Sequence, residues 1–175
     1  MPAMLKDAYL LIDGYNILNS WPELSRLKEV DLAHARDSLA DALANYAAFK
    51  GCLTVLVFDA YAVKGKSARE ERQGITVVFT GEGETADSYI EKIAYDLLKN
   101  KKTVFVVTGD HYEQLAILGM GAYRMTAGEL LCDCRETDRL IVEAVNARPL
   151  AGRQEVAERL CDETMTKLEN IRRKR

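Results

Sequence analysis

AYLLID, residues 8–13, is an unbroken apolar run that ends on a carboxylate. A strand with one wet face alternates apolar and polar residues, so a continuous run of this length reads as a strand covered on both faces. LTVLVFD at 53–59, ITVVF at 75–79 and TVFVVT at 103–108 repeat the pattern, and AYRMT at 122–126 is a shorter fifth candidate. Between these runs the apolar period lengthens to that of a helix. Leu32, Ala35, Leu39, Leu43 and Tyr46 share one face, as do Ile90, Ile93, Ala94, Leu97 and Leu98. Alternating strands and helices predict βαβ units, hence an α/β fold of three layers with a mainly parallel central sheet flanked by helices.

A further helix is expected over roughly 127–147, with Leu130, Leu131, Cys134, Ile141 and Val145 inward, ended by Arg148-Pro149. A last amphipathic helix is expected at about 153–172, packed on the same domain. Two segments read as loops: 14–30, with Trp21-Pro22, and 60–74, with Lys64, Lys66, Arg69 and Arg72.

The chain has 175 residues, 48% of them hydrophobic, which suits one domain over 1–175 with a core that needs neither disulfide nor structural metal. With 24 basic against 27 acidic residues the net charge is −3, so no global positive field marks a nucleic-acid binder and any grip on such a partner is local. Cys52, Cys132, Cys134 and Cys161 form no CxxC pair and stand near no histidine at zinc-ligand spacing, which points to reduced, mostly buried thiols. Lys6, Asp7 and Asp13 do not fit a signal peptide, and the apolar runs are too short to span a bilayer. The expectation is a soluble, cytoplasmic protein with no membrane partner.

Each of the first four strands ends at, or is soon followed by, an aspartate: Asp13, Asp59, Asp87 and Asp110. Singly, each has an ordinary structural explanation. Asp13-Gly14 suits a turn, Asp87 a helical first turn, and Asp110 with Glu113 a helix cap. Together they read differently, because parallel strands place their carboxyl ends on one edge, where open α/β sheets bind ligands. Carboxylates crowded there must protonate or admit a cation. An all-oxygen set favours a hard ion, Mg²⁺ or Mn²⁺, and such an ion suits phosphodiester hydrolysis. Asn16 reads equally as a residue that orients a carboxylate or water and as a turn former. Glu82, Glu84 and Thr108 are candidates for a supporting shell.

IDGYN at 12–16, VFDA at 57–60, GETADSYIE at 83–91, TGD at 108–110 and YRMTAGEL at 123–130 resemble, in order, the YacP-like branch of the NYN domains. The similarity spans roughly 8–170. It implies a PIN-like, metal-dependent endoribonuclease with its acidic residues on a parallel sheet, in a branch that includes ribosome-associated enzymes cutting messenger RNA. By position Asp13, Asn16, Asp87 and Asp110 match the acidic-site pattern, with Asp13, Asp87 and Asp110 as metal ligands and Asp59 as a supporting carboxylate. Where PIN-type sites often continue with a further acid, this chain has His111 and Glu113, which leaves open whether one ion or two is held.

Other signals have simpler explanations. GEGETA at 81–86 fits GxGxxA, yet it follows the third strand and its glutamates would repel a pyrophosphate. His34 lies within an amphipathic helix. Trp21 before a proline suits a loop anchor better than a base-stacking platform. Lys64, Lys66, Arg69 and Arg72 are candidate RNA phosphate contacts because their segment starts at the acidic edge, while the Arg172–Arg175 tail reads as solvated charge. The rival functions are a non-catalytic RNA- or ribosome-binding module of the same fold, and a nucleotide- or flavin-binding protein.

Overall fold

A computed structural model describes residues 6–59, 68–109 and 119–147. Its elements are β1 (Tyr9–Asp13), α1 (Gly14–Ser20), α2 (Pro22–Val30), α3 (Leu32–Lys50), β2 (Leu53–Phe58), β3 (Ala68–Arg72), β4 (Ile75–Phe79), α4 (Ala86–Lys99), β5 (Val104–Val107), β6 (Tyr123–Met125) and α5 (Ala127–Ala147). The strands form one sheet in the order β3-β4-β2-β1-β5-β6. Four of its pairings are parallel and one, β3 with β4, is antiparallel.

Side chains alternate along each central strand between two apolar layers. Leu10, Ile12, Leu56, Phe58, Val77 and Val107 pack with Ile17, Leu24, Leu39 and Leu43 of α1, α2 and α3 and with Leu130 of α5. Leu11, Val57, Val78, Val104 and Val106 pack with Ala86, Ile90 and Ala94 of α4. Both faces are dry, which is why the strands read as continuous apolar runs. The three-layer α/β reading holds.

Topology selects the functional edge. From β1 the chain moves outward through β2 to β4, and α4 then carries it back across to β5, on the other side of β1. The direction of progress reverses beside β1, so the crevice lies at the carboxyl ends of β1 and β5.

Parts of both segments read as loops are ordered elements. Residues 14–30 are α1 and α2, and Trp21-Pro22 is their junction. Trp21 is extended (φ −85°, ψ 118°), and Pro22 opens α2 at the position where a missing N–H costs nothing. Asp31 then caps α3, accepting a 3.0 Å bond from the His34 N–H. In the second segment, residues 68–72 are β3, joined to β4 by Gln73 and Gly74, both left-handed (φ 48° and 86°) as a two-residue hairpin turn requires. AREER carries no apolar alternation because β3 is an edge strand, where charge blocks further pairing.

Helix α5 keeps its expected bounds and is opened by a capping box. The Thr126 N–H donates to Glu129 Oε2 at 2.7 Å, and the Glu129 N–H donates to Thr126 Oγ1 at 3.1 Å. Leu130 and Cys134 are buried as expected, but Val145, expected inward, is exposed. The chain divides into two compact units, Met1–Asp138 and Arg139–Arg175. In the second, the Arg139–Glu143 pair (3.0 Å) braces successive helical turns. The helix expected at 153–172 lies outside the described residues, and among these no helix is long and apolar enough to cross a membrane.

Candidate active site

Asp13 closes β1 and caps α1, its Oδ1 accepting from the N–H groups of Tyr15 (3.0 Å) and Asn16 (3.2 Å). Two such bonds favour the carboxylate form. Its pKa is nevertheless raised above the ordinary aspartate value, first by burial, with the negative charges of Asp87 and Asp59 adding to the rise. Asp13 therefore caps a helix and also lies within reach of the charges of Asp87 and Asp59.

Register explains how the group assembles. Asp13 pairs with Val57, and Phe58 pairs with Phe79, so Asp13, Asp59 and Thr80 stand at the same end of their strands. Leu11 and Val57 belong to the α4 layer, so a period of two turns Asp13 and Asp59 to that face as well. There α4 begins. Thr85 caps it, accepting from the Ser88 N–H at 3.2 Å, and Asp87 occupies the first turn. The cap is already supplied by Thr85, so the Asp87 carboxylate remains available to the crevice. Asp59 is steadied by the Thr80 hydroxyl, which donates to its Oδ1 at 3.3 Å.

Asn16 projects from the first turns of α1, and its Oδ1 is buried without a hydrogen-bond partner. Gly109 approaches it closely: a Cβ there would stand 2.4 Å from Asn16 Nδ2. Gly14 is similarly constrained, since its Cβ would meet the Phe58 ring at 2.2 Å. Gly14 is thus imposed by the Phe58 ring, and Gly109 leaves the Asn16 amide in its place.

Asp110 directly follows Gly109 but lies outside the described residues, as do Lys64, Lys66, His111 and Glu113. Among the described residues no group of three His, Cys, Asp or Glu is already drawn together as a metal cage. Asp13 with the charges of Asp87 and Asp59 beside it, and an unsatisfied buried amide oxygen, are nevertheless oxygen donors that fit a hard divalent cation.

Of the basic segment, the described arginines stand at different levels of the sheet, Arg69 beside Val78 and Arg72 beside Ile75. β3 runs antiparallel, so Ala68 lies level with Phe79 near the acidic edge, and Arg72 lies level with Ile75 at the start of β4. The Arg72 guanidinium is bound to Asp37 and Asp41 of α3, which ties β3 to that helix. Arg69 is exposed beside Glu71 at 3.4 Å. Trp21 is buried and its indole N–H donates to the Ala127 carbonyl at 2.9 Å, so it joins the α1–α2 junction to α5. His34 is exposed on α3. Cys52 and Cys134 are buried and Cys132 exposed; burial with nearby carboxylates pushes the Cys134 thiol up to about 12.

The YacP-like NYN domain model matches residues 10–173. The chain belongs to that family. NYN domains carry a PIN-like nuclease fold, and nucleases of this kind generally depend on a divalent metal. This YacP-like NYN domain is similar to the uncharacterized protein YacP of Bacillus subtilis (strain 168), 39% identical over 152 residues that cover 85% of this chain and 89% of that protein. It is also similar to the crystal structure of Rae1 (YacP) from Bacillus subtilis, with a TM-score of 0.72, 37% identity and 94% of each chain covered. For a mutant of Rae1 the TM-score is 0.70, with 35% identity over 83% of this chain and 89% of that one.

The motifs of the YacP-like NYN domain divide by role. IDGYN, VFDA and GETADSYIE bring Asp13, Asp59 and Asp87 to one edge. YRMTAGEL is β6 followed by the capping box of α5, and so is architectural.

Proposed function

We propose that this chain is a metal-dependent endoribonuclease that hydrolyses phosphodiester bonds of single-stranded RNA. The observation that carries the reading is Asp13. It is partly buried beside the negative charges of Asp87 and Asp59, and its pKa is raised by burial first and by those charges next, despite two helix-capping bonds that lower it; such a set of oxygen donors suits a divalent cation.

Asp13, Asp87 and Asp110 are the proposed ligands of Mg²⁺ or Mn²⁺. When bound, the ion supplies an acidified water and offsets the charge that builds on the phosphate. Asp13 is held for this role by the Tyr15 and Asn16 N–H groups, which use only Oδ1. Asp59, oriented by Thr80, adds negative potential that favours the cation. The Asn16 amide oxygen is an acceptor for a water at the scissile bond. No nucleophilic side chain is needed.

Lys64, Lys66 and Arg69 are the proposed contacts to RNA phosphates, with Arg72 reassigned to holding β3 on α3. The resemblance to ribosome-associated endoribonucleases favours messenger RNA on the ribosome as substrate, a cytoplasmic location, and one domain that includes the 153–172 segment. The test is incubation with a defined single-stranded RNA, with and without ribosomes, in Mg²⁺, Mn²⁺ or chelator. Internal cleavage that needs the metal supports the proposal. RNA binding without cleavage in every metal points to a non-catalytic binding module.

A further inference from the structure

On the opposite face of the sheet from α4, at the same edge, an arginine is held among aromatic rings with no carboxylate paired to it among the described residues. Arg36 lies near the start of α3, and its guanidinium carbon sits 5.4 Å from the Tyr15 ring centroid, 5.5 Å from Phe58 and 5.7 Å from Phe79. Phe58 and Phe79 are the last residues of β2 and β4, and Tyr15 is two residues beyond Asp13. The three rings therefore fix the cation at the carboxyl edge. Phe58 is itself locked between Tyr15 (edge-on, 5.5 Å) and Phe79 (stacked, 5.5 Å), so the platform is rigid.

The hydrogen bonding of Arg36 is incomplete. One terminal nitrogen donates to the Tyr15 hydroxyl. The Nε–H is buried without an acceptor. Among the described residues no carboxylate pairs with it, although Asp37, its neighbour in sequence, is bound to Arg72. A buried N–H without a partner is costly, and an arginine stacked on aromatic rings presents a planar fork that matches phosphate oxygens. Tyr15 also links Arg36 to the acidic group, since its own N–H donates to Asp13 at 3.0 Å.

We infer that Arg36 is an RNA-binding residue that grips a backbone phosphate beside the scissile one and so holds the strand against an edge whose carboxylates would otherwise repel it. The inference rests on the nuclease reading above and adds to it a binding residue that comes from α3, outside the basic segment. The rings keep the cation in place and partly dehydrated, which strengthens a charge-assisted contact to the anion.

The test is binding of a labelled single-stranded RNA to the full chain in Mg²⁺, with Asp87→Asn as background so that the RNA stays intact, over a range of salt concentrations. Arg36→Met keeps an unbranched apolar side chain against the rings and removes the charge. The expected result is a loss of affinity of about tenfold and a log K against log salt slope shallower by about one, as for the loss of one phosphate contact. Arg36→Lys should keep the slope and lose several-fold in affinity, because charge remains and the fork does not. Wild-type affinity and slope in Arg36→Met would overturn the inference while leaving the nuclease reading standing. Should Arg36→Met fail to fold, Arg36→Lys decides: reduced affinity at constant slope supports the contact, and unchanged affinity overturns it. Absence of RNA binding by both the background protein and the wild-type chain, on and off ribosomes, would sink both.

Discussion

Gly109 leaves no room for a side chain beside Asn16: a Cβ at 109 would stand 2.4 Å from the Asn16 amide nitrogen. That nitrogen is the far end of a flexible side chain, so an added methyl group displaces the amide and leaves the backbone alone. Gly109→Ala is expected to lower cleavage at least about tenfold, the scale on which small misplacements act in active sites, with little change in melting temperature. Asn16→Ala should lower it comparably, and the double variant should be little worse than either. Wild-type cleavage in Gly109→Ala would remove Asn16 from the mechanism.

Asp13 yields a pH-dependent prediction. Its folded-state pKa is raised, so folding gains from its protonation below the ordinary aspartate value, and that stability is lost as pH rises through the raised value. Asn does not titrate there and caps a helix about as well as Asp. In chelator, the melting temperature of Asp13→Asn should therefore exceed that of wild type at neutral pH, and the difference should shrink as the solution is acidified. Asp13→Ala loses the cap as well and should cost about 0.5–2 kcal/mol relative to Asn. A pH-independent difference between Asp13→Asn and wild type would contradict the electrostatic account. Saturating Mg²⁺ or Mn²⁺ should reverse the order, because the ion stabilises only the protein that binds it.

Arg72 separates architecture from RNA contact. Its partners Asp37 and Asp41 are more than half exposed, so the pairs are screened by solvent and salt. Arg72→Ala should lower stability by no more than about 1 kcal/mol and leave the salt dependence of RNA binding unchanged. Lys64→Ala with Lys66→Ala and Arg69→Ala should weaken binding and flatten that dependence. An Arg72→Ala protein with a flattened salt slope would return this residue to the RNA interface.

The parallel core was legible because β1, β2, β4 and β5 are dry on both faces, so Leu10, Leu11 and Ile12 could all be apolar. β3 was not, because an edge strand needs no apolar alternation and AREER has only Ala68. Helix α1 has Asp13 as its cap and α2 has Pro22 at its first position, but each helix is short and Trp21-Pro22 resembles a turn. Trp21 proved to be an anchor, a role set by a partner, Ala127, that lies 106 residues away. Asp13, Asp59 and Asp87 could be placed together from topology, since each follows from which end of a parallel strand or helix it occupies. Arg36 could not. Its surroundings are three rings from three separate elements, and in sequence it is one more charge on an amphipathic helix.

Asp87 gives the most direct test of the central claim, because Thr85 already caps α4 and the Asp87 carboxylate has no other structural task in the first turn than a favourable place near the helix dipole. The measurement is the rate of internal cleavage of a defined single-stranded RNA, free and on ribosomes, by wild type and Asp87→Asn in Mg²⁺ and in Mn²⁺, with melting temperatures taken alongside. The account predicts metal-dependent cleavage by wild type that is nearly abolished in Asp87→Asn while the variant melts at or above the wild-type temperature in chelator. Cleavage by Asp87→Asn at the wild-type rate, or wild-type cleavage that persists undiminished in chelator, would contradict it.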